Sequence, residues 1–236
     1  MKRLILKIIL FIHVIITIPL YADNILSDPD IPDREYIEYT LKVGKKISTI
    51  IEKVRVIEEQ GIKIYRFIST SKNKNVEVRL IKELMSQIYY SSQVEKDDYN
   101  LNISRAVKYN KEISKDEILV FDMSTLVYSL RGFPFKNPKT VKISILNSSS
   151  EDNSEFQMKI KLVKKEKQKV NDKEIDCYKL ELVISGMGIF DVMIPKTYFW
   201  FSVDAPHYLV CSKGKAGLSG SSKYDLRLLK YSIVKD

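Results

Sequence analysis

The chain is poor in the residues from which most active sites and metal centres are built. It has two cysteines and two histidines among 236 residues, and only His207 lies beyond the apolar N-terminal stretch. Zinc sites usually use two or three histidines or clustered cysteines, so we predict no metal and no cofactor. A Ser-His-Asp triad would have to use His207 with the nearby Asp204, but no nucleophile-elbow motif lies near them. We therefore predict no catalytic residues.

Cysteine is too scarce for a disulfide framework. Cys177 and Cys211 both fall inside predicted strands, with another predicted strand between them. A disulfide needs Cα atoms within about 7 Å of each other. Export to an oxidising compartment would permit a bridge, so the pairing stays open, but two buried free thiols fit this pattern better.

Long apolar runs are absent after residue 22, since none approaches the ~20 residues that span a bilayer. The stretch before it is typical of a secretory signal peptide: a basic head at Lys2 and Arg3, an apolar run over 4–20 and a small residue at Ala22. We predict that 1–22 is removed and that the mature chain is periplasmic and is not an integral membrane protein. The alternative is a retained N-terminal anchor.

Acidic residues are outnumbered. The formal charge of +9 falls to +6 without residues 1–22, because that stretch holds three basic residues and no acid. A mild positive charge suits a soluble protein near anionic lipid or an acidic polymer. Nucleic acid is not an expected partner, because an exported protein rarely meets any.

Alternating side chains predict a mainly β protein. Residues 23–34 carry Pro29 and Pro32 and are predicted to form an extended lead-in to a single domain over 35–236. In 36–43 and 178–184, apolar and polar residues alternate as in half-buried strands. The connecting turns are short, and short turns cannot join parallel strands. The pattern therefore predicts one antiparallel meander. Within it, 76–92 begins as a strand and then fits both strand and helix, 97–109 fits strand or loop, and the structure of 76–118 stays open.

One helix is predicted within this β pattern, over 122–131. Asp122 is placed to cap it, and Leu126 and Leu130 lie on its apolar face. The helix is expected to end at Gly132. A helix of this length among strands can cover one face of the sheet.

Four aromatic residues in a row put rings on both faces of one predicted strand: Tyr198, Phe199, Trp200 and Phe201. A strand with one wet face would alternate apolar with polar residues, so both faces need cover. One interpretation is a strand buried on both sides by helix and sheet. The other makes these four residues candidate ligand-binding residues, with Trp200 in the core and Phe199 and Phe201 on the concave side.

Three segments together resemble domain-of-unknown-function family 3108, a family of periplasmic proteins. Asp122-Met123-Ser124-Thr125-Leu126-Val127-Tyr128-Ser129-Leu130-Arg131 resembles its "D-x-x-S-x-x-Y-x-x-R" helix. Trp200-Phe201-Ser202-Val203-Asp204, followed by Leu209-Val210, is similar to its "W-x-S-x-D … P-V" strand pair. Glu35-Tyr36-Ile37-Glu38-Tyr39 with Val43-Gly44 is similar to its first strand and turn.

The resemblance covers roughly 35–231 and departs from the family where Leu209 replaces a proline. It implies a single curved antiparallel sheet, like a lipoprotein-carrier half-barrel, around the helix near 122–131. It also implies structural roles for Asp122, Arg131, Ser202 and Asp204, and it brings no established activity.

The leading hypothesis is a non-enzymatic binding protein for an apolar or lipid ligand or for an envelope protein. One alternative is an envelope assembly factor that acts through a sheet edge. The other is a hydrolase of envelope polymer that uses Asp204 and His207. A deep apolar cavity would favour the binding protein. A filled core with an exposed sheet edge would favour the assembly factor, and a polar cleft at His207 would favour the hydrolase.

Overall fold

A computed structural model of the protein describes residues 26–96, 99–106, 118–120, 125–137, 140–146, 155–184, 196–215 and 222–235. The predicted signal peptide and Asp122 lie outside the described residues. Their predicted roles therefore stay predictions.

Strands dominate the described chain. The first six are β1 (Glu35–Val43), β2 (Lys46–Glu59), β3 (Ile62–Ser71), β4 (Lys74–Ile81), β5 (Ser86–Lys96) and β6 (Tyr99–Ala106). The next seven are β7 (Ile118–Val120), β8 (Val141–Leu146), β9 (Glu155–Val170), β10 (Lys173–Ile184), β11 (Thr197–Ser202), β12 (Leu209–Lys215) and β13 (Lys223–Ile233). Between β7 and β8 lie the short helix α1 (Leu126–Ser129) and a 3₁₀ turn (Leu130–Gly132).

All these strands belong to one sheet, in the order β6-β5-β4-β3-β2-β1-β13-β12-β11-β10-β9-β8-β7. It consists of two meanders joined where the first and last strands pair, from Glu35 opposite Ile233 to Val43 opposite Tyr224. Within the described residues no ladder joins β6 to β7, so the sheet is not closed into a barrel. It is nevertheless curved, since Cα atoms of β5 and β7 come within 8 Å of each other. The prediction of one large, mainly antiparallel sheet is confirmed.

One strand pair differs from the predicted meander, because β7 and β8 are parallel. Parallel neighbours need a crossover connection. Here that connection contains α1, so the helix accounts for the one pair that short turns cannot make.

The sheet has two different faces, because side chains alternate along each strand. We call concave the face that carries the main hydrophobic cluster. Its strand residues include Ile37, Tyr39, Val54, Phe67, Val78, Leu80, Ile160, Leu180, Phe199 and Phe201, all buried. Each such side chain contributes on the order of 1.5–3 kcal/mol by burial. This face therefore carries most of the apolar burial of the molecule.

Of the predicted helix, 125–131 lies within the described residues. α1 begins at Leu126, continues as a 3₁₀ turn and ends at Gly132, and Thr125 occupies its N-cap position without a side-chain capping bond. The end at Gly132 agrees with the prediction. A Cβ at Gly132 would lie 2.5 Å from the Ser27 carbonyl oxygen, so only glycine fits there.

The two cysteines are free and buried, and they lie on the face of the sheet opposite the concave one. β11 lies between their strands, as predicted. Burial raises the pKa of Cys177 to about 12 and that of Cys211 to about 11. Both thiols are therefore protonated and unreactive at neutral pH.

Candidate functional site

One short segment crosses the concave face of the sheet. We call residues 125–135 the covering segment. At one end, Thr125 Oγ1 donates to Gln87 Oε1 on β5 at 3.2 Å, and Gln87 Nε2 donates to the Thr125 carbonyl at 3.0 Å. At the other end, the Phe135 ring stacks on Tyr178 of β10 with a centroid distance of 4.5 Å. The segment thus extends over the sheet from β5 to β10.

Most contacts of the covering segment with the sheet are apolar. Leu126, Leu130 and Phe133 are buried in the main cluster. Tyr128 stacks on Phe67 at 4.5 Å, and Phe135 also lies 6.0 Å from the Phe201 ring. The covering segment therefore covers the concave face with its own apolar side chains.

A buried ion pair fixes the middle of the covering segment. Arg131 donates to both carboxylate oxygens of Glu35 on β1, at 2.5 and 2.8 Å, and its Nε donates to the Pro206 carbonyl at 3.1 Å. Burial opposes the charge on Arg131, but the Glu35 carboxylate keeps the pKa of the guanidinium above its usual value. Such a pair contributes little net stability when intact, but losing one partner leaves a buried charge unpaired.

The three segments that carry the resemblance to family 3108 meet at this ion pair. Glu35 belongs to the first strand segment, Arg131 to the helix segment, and Pro206 follows the Trp200–Asp204 segment. Ser202 Oγ donates to the Asp204 carbonyl at 2.8 Å, which shapes the turn that presents the Pro206 carbonyl to Arg131. Arg131, Ser202 and Asp204 are thus brought together as parts of one structural junction.

A second buried carboxyl group lies beside the ion pair. Glu52 of β2 accepts a hydrogen bond from the Tyr128 hydroxyl at 2.9 Å. Burial raises the pKa of Glu52 from 4.5 to about 7. Sequence patterning alone did not single out Glu52, although it is the one buried acid on its strand and lies between Ile50 and Val54. A charged residue on the apolar side of an alternating strand was the available signal.

The four aromatic candidates divide between the two faces of β11. Phe199 and Phe201 lie on the concave face, 3% and 0% exposed, within the main cluster. Trp200 lies on the opposite face in a small cluster with Cys177, Val210 and Cys211, and Tyr198 packs against it. The structure therefore does not bring the four rings together.

Trp200 has polar partners on its own face of the sheet. Its indole Nε1 donates to Glu166 at 2.5 Å, and Lys179 Nζ lies 5.0 Å from its ring centroid. These contacts satisfy its one donor and cover its ring. They make Trp200 part of the packing outside the concave face.

Asp204 and His207, the residues of the hydrolase alternative, form a turn. The His207 backbone N–H donates to the Asp204 carbonyl at 3.1 Å, and its Nδ1 lies 2.9 Å from the Ser202 carbonyl oxygen. The His207 ring packs 4.8 Å from Phe135, and burial lowers its pKa. The histidine is therefore occupied by its own turn and by the covering segment.

Two features are absent from the described part of the chain. There, no three or more His, Cys, Asp or Glu side chains are grouped so as to hold a metal ion. Nor does that part contain a helix with the length and apolarity needed to cross a membrane.

Neither a family model nor a curated protein matches this chain. Among solved structures, a β-barrel-like protein of domain-of-unknown-function family 1849 from Brucella abortus is 10% identical with a TM-score of 0.42, over 86% of this chain and 99% of that one. The hypothetical lipoprotein YmcC from Escherichia coli is 12% identical with a TM-score of 0.36, over 87% and 92%. Lipoprotein LppX from Mycobacterium tuberculosis is 13% identical with a TM-score of 0.29, over 89% and 92%. All three TM-scores lie below 0.5, so none of these likenesses establishes a shared fold or function.

Proposed function

We propose that this protein is an exported, non-enzymatic binding protein that holds an apolar ligand of the lipid class on its concave face. Phe199 and Phe201 would contact the ligand there, in the place of side chains of the covering segment. We also propose that the chain belongs to domain-of-unknown-function family 3108, because its three motif segments converge on Arg131.

The observation that carries the proposal is the kind of cover on the concave face. Among the described residues, no backbone–backbone hydrogen bond joins the covering segment to a strand. It is held to the strands at Gln87, Glu52 and Glu35, and a backbone hydrogen bond from Ser27 of the lead-in reaches Gly132. An apolar chain can replace the contacts of Leu126, Leu130, Phe133 and Phe135 without breaking a β-ladder. The fraction of molecules with the segment displaced would then set the apparent affinity.

The proposed location is the periplasm, and its support is the basic head, apolar run and Ala22 of the signal-peptide pattern. We expect N-terminal sequencing of protein recovered from the periplasm of a bacterial host to begin at Asp23. Membrane-bound protein that retains Met1 would contradict cleavage and indicate an anchor.

The binding proposal is tested with a fluorescent fatty-acid probe and two variants. Phe135→Leu removes the stacking on Tyr178, a contact on the order of 0.5–1.5 kcal/mol. It should raise the apparent probe affinity about two- to tenfold, because the covering segment leaves more easily. Trp200→Phe changes a ring of similar kind on the opposite face and should leave the probe affinity unchanged.

Lipids that co-purify with the mature protein, identified by mass spectrometry, would name the ligand class. The proposal is wrong if no lipid co-purifies and the wild type and Phe135→Leu both fail to bind the probe.

A filled concave face together with a terminal strand at the sheet edge is the pattern expected of the sheet-edge alternative, and that negative result would favour it. β6 is the terminal strand at one end of the sheet, and Leu101 on it is 45% exposed. A terminal strand can pair with an extended segment of another protein. An envelope protein would then be the partner in place of a lipid.

A further inference from the structure

A pocket lined by lysines lies where four central strands of the sheet begin or end, away from the covering segment. Its volume is about 470 Å³, and the ends of β1 and β12 and the starts of β11 and β13 surround it. We call it the lysine pocket, after the five cations that line it: Lys42, Lys196, Lys213, Lys215 and Lys223. We propose that the lysine pocket binds a phosphate-bearing anion. This site is separate from the apolar site proposed above.

The positive charge of the lysine pocket is only partly compensated. Asp225 is the one acid among its described lining residues, and it lies 3.7 Å from Lys213. Lys196 pairs with Glu181 at 2.8 Å. Within the described part of the chain, Lys42, Lys215 and Lys223 have no carboxylate within 4.0 Å. Three cations therefore face one cavity without a counter-ion from these residues.

Two of these lysines oppose each other across the sheet. Lys215 of β12 lies directly opposite Lys223 of β13, and like charges in that position destabilise a sheet. Lys164 and Lys179 form the same kind of pair, but there Glu166 lies 2.7 Å from one ammonium group and 3.5 Å from the other. A bound anion would compensate the charges of Lys215 and Lys223, as Glu166 compensates those of Lys164 and Lys179.

The wall of the lysine pocket is closely packed before any ligand arrives. A Cβ at Gly214 would lie 2.6 Å from Thr197 Oγ1 and 2.9 Å from Tyr224 Cε1, so glycine permits this contact. The Tyr224 hydroxyl is 3.0 Å from Ser212 Oγ. The Gly44 N–H donates to the Lys223 carbonyl at 3.1 Å and fixes the rim. The lysines thus project from a wall that needs little rearrangement on binding.

The chemistry of the pocket favours phosphate over a single carboxylate. Several ammonium groups around one cavity match a group that carries more than one negative charge, and lysine binds phosphate as a point charge. A volume of about 470 Å³ falls in the range of small-molecule sites. A lipid headgroup and a soluble phosphorylated molecule would both offer this group.

Pyrophosphate titrated into the mature protein in a calorimeter tests the site. We expect saturable binding that weakens with added salt. Lys215→Gln/Lys223→Gln should weaken it by at least about tenfold, because both removed groups would make charge-assisted contacts to the phosphate. The matched control is Lys142→Gln/Lys159→Gln, which removes the same charge from another directly opposed, exposed lysine pair. It should change the affinity less than about twofold.

A vesicle arm distinguishes the two sources of phosphate. If phosphatidylglycerol vesicles bind the wild type, phosphatidylcholine vesicles do not, and pyrophosphate competes, the ligand is a lipid headgroup. If pyrophosphate binds and vesicles do not, the ligand is a soluble phosphorylated molecule. The lysine pocket is not a phosphate site if pyrophosphate fails to bind, or if both double variants lose affinity equally. Neither result depends on the fatty-acid probe, so this inference and the proposed function fail separately.

Discussion

At the scale of single residues, Glu52 makes stability depend on pH. Its pKa rises from 4.5 to about 7 because burial disfavours the charged form. Between these values the folded protein keeps a proton that the unfolded chain has lost. The stability that Glu52 contributes is therefore fully present below pH 4.5, falls as the pH rises and levels off above 7. Because each pKa unit corresponds to ~1.4 kcal/mol, the loss of folding stability across this range is on the order of 3 kcal/mol.

Glu52→Gln should remove this dependence. Glutamine is neutral at every pH and can still accept the hydrogen bond from Tyr128. Urea unfolding at pH 5.5 and pH 8 should show the wild type less stable at pH 8, and the difference should shrink in the variant. Glu58→Gln, an exposed change on the same strand, is the control and should keep the wild-type pH dependence. Equal pH dependence in wild type and Glu52→Gln would contradict the assignment.

The effect of removing Arg131 or Glu35 on stability depends on whether the partner residue is still present. Both side chains are almost fully buried, 4% and 0% exposed. Removing one alone leaves a buried charge, which typically costs 3–5 kcal/mol, whereas replacing both by apolar groups is often neutral. We infer that this pair acts to fix where the covering segment lies on the sheet, more than to stabilise the fold.

At the scale of elements, alternation predicted the strands well, because side chains that face a buried side repeat every second residue. The ambiguous stretch from Val76 shows the limit of this rule. Residues 82–85 form a tight turn, the Met85 N–H donates to the Ile81 carbonyl at 2.8 Å, and the Met85 side chain returns to the core. That local fold gives Ile81 and Met85 a helical spacing within a hairpin.

Sequence patterns predict that a helical covering segment exists, but they do not predict which residues of the sheet it contacts. The apolar spacing of Leu126 and Leu130 and the stop at Gly132 follow from helix rules. The pairing of Arg131 with Glu35 joins residues far apart in sequence, and no local pattern encodes it. The same holds for the aromatic strand: the rings of Phe199 and Trp200 had to face opposite ways, but only the neighbouring strands decide which cluster each one joins.

At the scale of the whole molecule, the two ends of the described chain complete the sheet and its cover. The first and last strands, β1 and β13, pair along their length. This pairing joins the meander β1–β6 and the strands β7–β13 into one sheet. Spacing between neighbouring strands carries no information on this pairing, because the two strands lie at opposite ends of the sequence. The lead-in that precedes β1 then lies against the covering segment, where the Ser27 N–H donates to the Gly132 carbonyl at 2.9 Å.

The lead-in is as firmly packed as the strands. Leu26 and Ile31 are each 2% exposed, the Ile31 N–H donates to the Tyr65 hydroxyl at 3.0 Å, and that hydroxyl donates to Asp28 at 2.5 Å. Cleavage after Ala22 would leave all of these contacts in the mature chain. Residues 26–34 of the lead-in are therefore part of the folded unit.

We expect Leu26→Ala/Ile31→Ala to lower the free energy of unfolding by about 2–5 kcal/mol per side chain, through lost burial and the cavities left behind. The matched control is Ile233→Ala/Val234→Ala at the other end of the chain, where the two side chains are 51% and 53% exposed. Exposed changes of this kind usually stay within about 0.5 kcal/mol. Urea unfolding of both variants measures the difference. If the two double variants lose the same stability, Leu26 and Ile31 do not contribute to the core, and the lead-in is not part of the folded unit.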